Sequence, residues 1–443
     1  MPISKTKPMY NLSFIVRETG IKPDTLRAWE RRYGLPKPTR SPSGHRLYSQ
    51  GDVEIVHWLL ARQAEGMRIG QAVALWKTLE AQAQAPSERQ VALSWAAEPF
   101  PPHVSNLDTL RHGWVNACLA FNEAEAEQAL NQAFSLFPIE EVCIQVLQRG
   151  LQEIGDLWYQ NRATVQQEHF ASMLTERRIQ TLIAAAPSPI YSERILLACP
   201  PGELHTISLS MLALFLRRRG WSVYNLGADV PLEHMTDALE QINPHLVVLS
   251  AQELYTAATL DEMARAIYTT STPVAFGGRA FNLYPVLQTR VAGVFLGTSL
   301  TEAVHTIETW FSSPRSQPGI PPRDPDYQEI LQAFLRQRPF IEEAVLSALP
   351  EDLLSTRMVQ SANNYLARDL IAALTFGDLS LLDTEMKWVL GLLSHSTSDG
   401  LRLQYYLKAY ASAVQDHMGE RGSQISAWLA QMITSVTSLG EGT

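Results

Sequence analysis

The chain has 443 residues, 46% of them apolar and 18% charged, and a net charge of −9. That length exceeds one ordinary core and that composition excludes a wholly disordered chain, so several folded domains are expected. No N-terminal apolar segment and no unbroken apolar run of membrane-spanning length occurs, which argues against secretion and a bilayer span. The three cysteines, Cys118, Cys143 and Cys199, are scattered, lack metal-ligand spacing and suit a reducing cytoplasm.

Charge is spread unevenly. Residues 1–48 hold ten basic side chains against three acidic ones, on a chain that is acidic as a whole. A basic module at one end is suited to meet a polyanion. Short helices are expected over Leu12–Glu18 and, after a turn at Gly20, over Lys22–Tyr33, with Pro23 in its first turn. Gly34, Pro36, Pro38, Pro42 and Gly44 then forbid regular helix until Ser49, which with Asp52 forms a capping-box pattern for the next helix. That helix carries Val53, Val56, Leu59 and Leu60, and a second apolar series runs from Ile69 to Leu79.

Thr25, Arg27 and Arg31 on the second of two short helices have the build of a helix-turn-helix, whose second helix enters the major groove. The arginine fork matches guanine's two acceptors, or a phosphate. Arg40, His45, Arg46 and Tyr48 lie on a Gly-containing turn, either a wing that reaches DNA or a solvated basic hairpin. The run from Leu26 to Leu35 and the Gly44-His45-Arg46-Leu47-Tyr48 turn resemble the winged helix-turn-helix of MerR-type transcriptional regulators over residues 10–78. The resemblance implies a double-stranded DNA operator as partner, with the DNA-binding domain at 8–79.

Weakly patterned, Pro-containing sequence at 80–105 reads as a linker. Residues 106–187 are helical in pattern, with helices around 107–120, 122–136, 138–158 and 164–186, for which a four-helix bundle is the economical packing. At Arg194 the period changes. "RILLACP", "WSVYNLG", "HLVVLSA", "PVAFGG" and "GVFLG" alternate with helices, giving a Rossmann-like five-stranded parallel sheet over 190–313. Ligands of such sheets sit beyond the carboxyl ends of the strands, so the loops after Cys199, Ser250 and Phe276 are the places to look. A Pro-rich spacer at 314–325 leads to a helical domain at 326–440, where His395 and His417 are too isolated to be ligands. Oligomerisation or partner contact is the role favoured for it over a second sensory pocket. The fold class is thus multidomain, α and α/β.

In "CPPGELHTIS", Glu203, His205 and Ser208 fall in the loop after the first strand of the sheet. A carboxylate that takes the proton of one ring nitrogen leaves the other to bind a metal. This loop resembles that of the cobalamin-binding domain of methionine synthase and corrinoid proteins, where an Asp-x-His-x-x-Gly loop supplies the lower axial ligand of cobalt. The resemblance implies His205 as that ligand, Glu203 as its carboxylate and Thr256 as the supporting hydroxyl. Together with these, Ser250 and the Gly277-Gly278 pair would line the slot for the cofactor's dimethylbenzimidazole tail. Three departures stand out: Glu203 for Asp, Ser208 for Gly and Gln252 for Leu.

"DLWYQNRATVQQEHF" places nine residues between Trp158 and the Glu168-His169 pair. The spacing resembles the signature of the cobalamin-dependent photoreceptor repressors of the CarH/LitR class, in which a four-helix bundle covers the upper face of the corrin. It implies that Trp158 packs on an upper axial group, that Glu168 binds the 5′-deoxyadenosyl moiety and that His169 completes the motif. Tyr159 departs from the class, which has a histidine there. The resemblance to this class further implies a cytoplasmic, non-enzymatic repressor that binds adenosylcobalamin, other cobalamin forms remaining open, and acts as a homo-oligomer, a dimer or tetramer, with no membrane partner. Light would change its assembly and so its hold on repeated DNA sites. The alternatives are a light-independent or cofactor-free regulator and a corrinoid methyl carrier, the last disfavoured by the DNA-binding head.

Overall fold

The computed structural model describes residues 10–40, 46–64, 69–70, 72–73, 76, 104–313, 318–393 and 397–440. His45, His395, most of the 80–105 linker and part of the apolar series after Ile69 lie outside the described residues. The chain forms two compact units, Met1–Pro101 and Pro102–Thr443.

In the first unit, strand β1 (Tyr10–Asn11) leads into the helix Leu12–Thr19, which Asn11 caps by accepting from Phe14 N at 2.9 Å. Gly20, at φ 71°, closes that helix in the left-handed region that glycine enters without strain. The second helix, Pro23–Tyr33, is followed by β2 (Thr39–Arg40) and β3 (Arg46–Tyr48), which pair antiparallel with β3 in the centre. Ser49 and Asp52 then start the helix Gln50–Ala64 by a reciprocal cap: Asp52 N donates to Ser49 Oγ at 3.1 Å and Ser49 N to Asp52 Oδ2 at 2.8 Å. Ile15, Leu26, Trp29, Leu35, Tyr48, Val56 and Leu59 fill the core between these elements.

The second unit begins with the helical bundle. Its helices are Val104–Leu119, Glu123–Leu136, a rod running from Ile139–Val142 through a π-helical stretch at Cys143–Gln148 into Arg149–Tyr159, and Val165–Ala184. The π-helical stretch was not legible in the apolar spacing of 138–158. The buried ring of Trp114 lies so close to this rod that a Cβ at Gly150 would come within 2.7 Å of it. Thr164 and Gln167 form a capping box that sets the start of the last helix.

Strands β4 (Arg194–Ala198), β5 (Ser222–Asn225), β6 (Leu246–Ser250), β7 (Val274–Gly277) and β8 (Val294–Phe295) form a parallel sheet in the order β5-β4-β6-β7-β8. Alternation divides the strand residues between two cores. Ile195, Leu197, Val248 and Ala275 join the core of the bundle and of the helix Ile207–Arg218. Leu196, Val247, Leu249, Val274 and Phe276 join the core of the helix Leu254–Tyr268.

That second core does not end at residue 313. It continues without a break through Pro325–Ala348, Thr356–Phe376, Leu382–Leu393, Thr397–Met418 and Ser423–Gly440. The segment read as a spacer is anchored over its described part. The buried Asp261 carboxylate holds Arg323 at 2.8 Å and Arg265 at 2.6 Å, and Arg265 also donates to Pro321 O at 2.8 Å. A buried carboxylate needs such partners, and here they fix the crossing from the sheet to the C-terminal helices. Among the described residues, no helix is long and apolar enough to cross a membrane.

Candidate functional site

The loop after β4 carries Glu203 into the interior, where its side chain is wholly buried. Oε1 accepts from His205 N at 2.8 Å and faces His205 Nδ1, also at 2.8 Å. Oε2 accepts from Thr256 Oγ1 at 2.6 Å and from Gln252 N at 2.7 Å. Burial pushes the Glu203 carboxyl up, but the hydrogen bonds from His205, Thr256 and Gln252 outweigh it and hold the group below its usual range. The bond to Glu203 raises the His205 pKa by more than burial lowers it. A carboxylate on Nδ1 fixes the proton there, and leaves the Nε2 lone pair outward on a side chain that is 64% exposed.

The longer glutamate explains how the departure from Asp is absorbed. Its carboxylate reaches past the loop to the first turn of Leu254–Tyr268, where Thr256 sits. Thr256 is therefore a support for Glu203; it does not line the slot. Gln252, noted in the sequence only as a departure, joins three segments: its main chain serves Glu203, Nε2 donates to Ser250 Oγ at 3.0 Å, and Oε1 accepts from Arg279 N at 3.1 Å.

Beside this loop a narrow cavity of about 130 Å³ runs down between the sheet and the helix Ile207–Arg218. Ser208, Leu212, Ser250, Gly277, Gly278 and Gly297 line it. The register pairs Ser250 with Gly277 at the carboxyl edge, so both face the same opening. Gly278 has φ 120°, and any Cβ there would collide with Ala251 O. Ser208 lies in the first turn of its helix, not in the loop itself.

Trp158 is at the end of Arg149–Tyr159, Glu168 closes the first turn of Val165–Ala184, and His169 follows it. Glu168 accepts from Ser172 Oγ at 2.7 Å and faces His169 Nδ1 at 2.6 Å. Its charge is the smallest of the contributions that raise the His205 pKa. Sequence reasoning missed Trp388. From the helix Leu382–Leu393, its ring lies 6.1 Å from Trp158 and 6.0 Å from Tyr159, and Tyr159 Oη donates to Trp388 O at 3.4 Å. No local motif marks this tryptophan.

The cleft suits a corrinoid on its own chemistry. Among the described residues, no group of three or more His, Cys, Asp or Glu side chains is gathered to hold a metal. His205 presents one imidazole for a macrocycle that brings its own metal, and the glycine-lined slot lies beside the loop that carries it.

In the first unit, Thr25, Arg27 and Arg31 are exposed on Pro23–Tyr33, and Arg40 is exposed on β2. Arg27 pairs loosely with Asp24 at 3.4 Å. Tyr48 requires a correction: it is fully buried, and its hydroxyl donates to Glu30 Oε1 at 2.5 Å, so it is a core residue and does not meet DNA. Residues two apart on a strand share a face, and Arg46 accordingly turns to the same carboxylate, Nε to Oε2 at 2.9 Å. Glu30 thereby ties the wing to the second helix, a role its sequence position did not disclose.

A winged helix-turn-helix joined to a corrinoid cleft defines a cobalamin-dependent, DNA-binding transcriptional regulator. Residues 10–77 match the description MerR HTH family regulatory protein, and residues 110–183 and 193–304 each match a B12 binding domain. The HTH-type transcriptional repressor CarA of Myxococcus xanthus is 36% identical over 273 residues, 60% of this chain and 84% of that protein. The HTH-type transcriptional repressor CarH of the same organism is 30% identical over 64% of this chain and 93% of that protein. The HTH-type transcriptional regulator MlrA of Escherichia coli is 44% identical over 55 residues, 12% of this chain and 23% of that protein. The chain belongs to the family of MerR-type transcriptional repressors that includes CarA and CarH.

Proposed function

We propose that this chain is a cytoplasmic repressor, a homo-oligomer of two or four copies, whose hold on a double-stranded operator is set by adenosylcobalamin. The observation that carries the reading is the buried Glu203, which engages His205 Nδ1 and so leaves Nε2 available on a largely exposed side chain. In this reading His205 holds the metal, and Ser208, Ser250, Gly277 and Gly278 enclose the tail. Trp158 covers the upper face, Glu168 holds a ribose or base by its carboxylate, and His169 keeps that carboxylate in place. Thr25, Arg27 and Arg31 enter the groove, while Arg40, His45 and Arg46 hold the backbone. Bound there, the cofactor would supply a cobalt centre with an exchangeable upper ligand. The chain couples that state to DNA only if one assembly state holds the cofactor better than another.

Tyr159 favours a second reading, in which cobalamin is sensed without light. A phenol stands where the light-sensing class has histidine, and it is engaged with Trp388. Sizing the protein with adenosylcobalamin in the dark and after green light, alongside operator binding, tests both. A cobalamin-dependent change of mass that light reverses supports the first, and one that light leaves unchanged supports the second. Absence of a corrin absorption band that comigrates with the protein, and is lost in His205→Ala, sinks both.

A further inference from the structure

The C-terminal helices, for which oligomerisation or partner contact was expected, line with part of the sheet domain an open cavity of about 870 Å³, within the range that holds small molecules. Leu354, Met358, Leu366, Leu403, Leu407 and Trp428 give it apolar walls. Its polar side is uneven. Arg368 is committed to Glu253 at 3.7 Å and lies over the ring of Tyr255, 4.0 Å from its centroid. Glu385 accepts from the Tyr284 hydroxyl. Asp369, between these groups, makes no hydrogen bond or ion pair among the described residues. Burial, with Glu385 and Glu253 adding repulsion against the weaker help of Arg368, pushes its carboxyl up to about 7. A carboxyl held against two others on a largely apolar wall costs free energy to ionise, and a ligand that brings a cationic donor offsets the repulsion.

We propose that this cavity is a second ligand site, for an amphiphile with an apolar body and a protonated amine head that meets Asp369 and Glu385. Two residues connect it to the cofactor cleft. Trp388 lines the cavity and packs on Trp158 and Tyr159; Arg279 lines both the cavity and the tail slot. A ligand that shifts Trp388 changes the roof, so the proposal deepens the reading above by giving the same cleft a second input, and this coupling alone rests on that reading. Linkage makes the effect reciprocal.

The test uses the full chain, free of cobalamin, titrated with octylamine, octanol and octanoate, with tryptophan fluorescence and calorimetry as readouts. Octylamine is expected to bind at one saturable site at least about tenfold more tightly than octanoate, as a charge-assisted hydrogen bond provides. Asp369→Asn should erase that preference, and Ala362→Trp, which grows into the cavity, should block all three probes while leaving the far-ultraviolet spectrum unchanged. No saturable amine binding, equal or better binding of octanoate through Arg279 and Arg402, or an unchanged preference in Asp369→Asn overturns the site. Because these measurements are made without cobalamin, failure of the cofactor reading leaves them intact. With cobalamin present, each ligand should change the other's Kd by the same factor. Unchanged affinities overturn the coupling, and one-for-one displacement shows that the cavity belongs to the corrin chamber and overturns the separate site.

Discussion

The proposed floor of the cofactor cleft holds its imidazole through four contacts on one buried carboxylate, whereas the proposed roof sets Trp158 against a ring delivered by a helix more than two hundred residues further along the chain. The floor is polar and tightly satisfied, by His205 two residues away and by Gln252 and Thr256 from the next-but-one strand's loop and helix. The roof is aromatic, half exposed and assembled only when the C-terminal helices dock. Hydrogen-bonded networks of the first kind fix a geometry, because leaving any member unpaired is expensive. Aromatic contacts of the second kind are weaker and can rearrange, which suits a surface that must report on its occupant.

The largest effect should come from breaking the floor. Glu203→Leu strands the Thr256 hydroxyl and the Gln252 and His205 amides, and is expected to cost about 3 kcal/mol, read by urea unfolding. A cost below about 1 kcal/mol would show that water replaces the carboxylate and that the floor is no more rigid than the roof.

The roof should give a smaller and reversible response. A Cβ at Gly391 collides with the Tyr159 hydroxyl, so Gly391→Ala is expected to lose about 1–2 kcal/mol despite alanine's better helix propensity. Adding Tyr159→Phe should return part of it, because the closest clash is with the oxygen while the ring carbon Cζ stays 2.8 Å from the new Cβ. A double variant no more stable than Gly391→Ala alone would place the strain elsewhere.

Outside the cleft, Tyr48→Phe should cost about 1 kcal/mol by removing a bond to Glu30, and leave the salt dependence of DNA binding unchanged. Arg31→Ala should do the reverse, with little loss of stability and a salt slope reduced by about one. If Tyr48→Phe lowered the slope, its burial would not describe the DNA-bound form.

A last prediction concerns pH. The folded-state pKa of Asp369 near 7 lies above the unfolded carboxyl value of about 4. The group therefore favours folding fully below the lower value, and that contribution is lost as pH rises through the upper one. Relative to Asp369→Asn, the parent chain should lose thermal stability between about pH 5 and about pH 8, and an identical pH dependence of the two would show that Asp369 is already satisfied.

Much of the fold was legible in the chain itself. The helix stops at Gly20 and Gly34, the Ser49–Asp52 cap and the five apolar strands obey local rules, each satisfied within a few residues. The loop of Glu203 and His205 was readable because carboxylate and imidazole are two residues apart. The part played by Gln252 was not legible, since its backbone amide and both side-chain bonds go to partners that only the folded loop brings to it. Tyr48 was misplaced because its neighbours are basic, while strand alternation turned it inward.

The sequence by itself determined the basic head, the parallel sheet, the bundle and the glutamate-tethered histidine, because each depends on residues close in the chain or on a strong periodicity. Only the tertiary structure decided that the C-terminal helices share the core of the sheet, that Asp261 pins the crossing between them, and that Trp388 meets Trp158 and Tyr159. Those contacts are chosen by burial between surfaces far apart in the chain, and apolar pattern states that a face must be covered without stating by what.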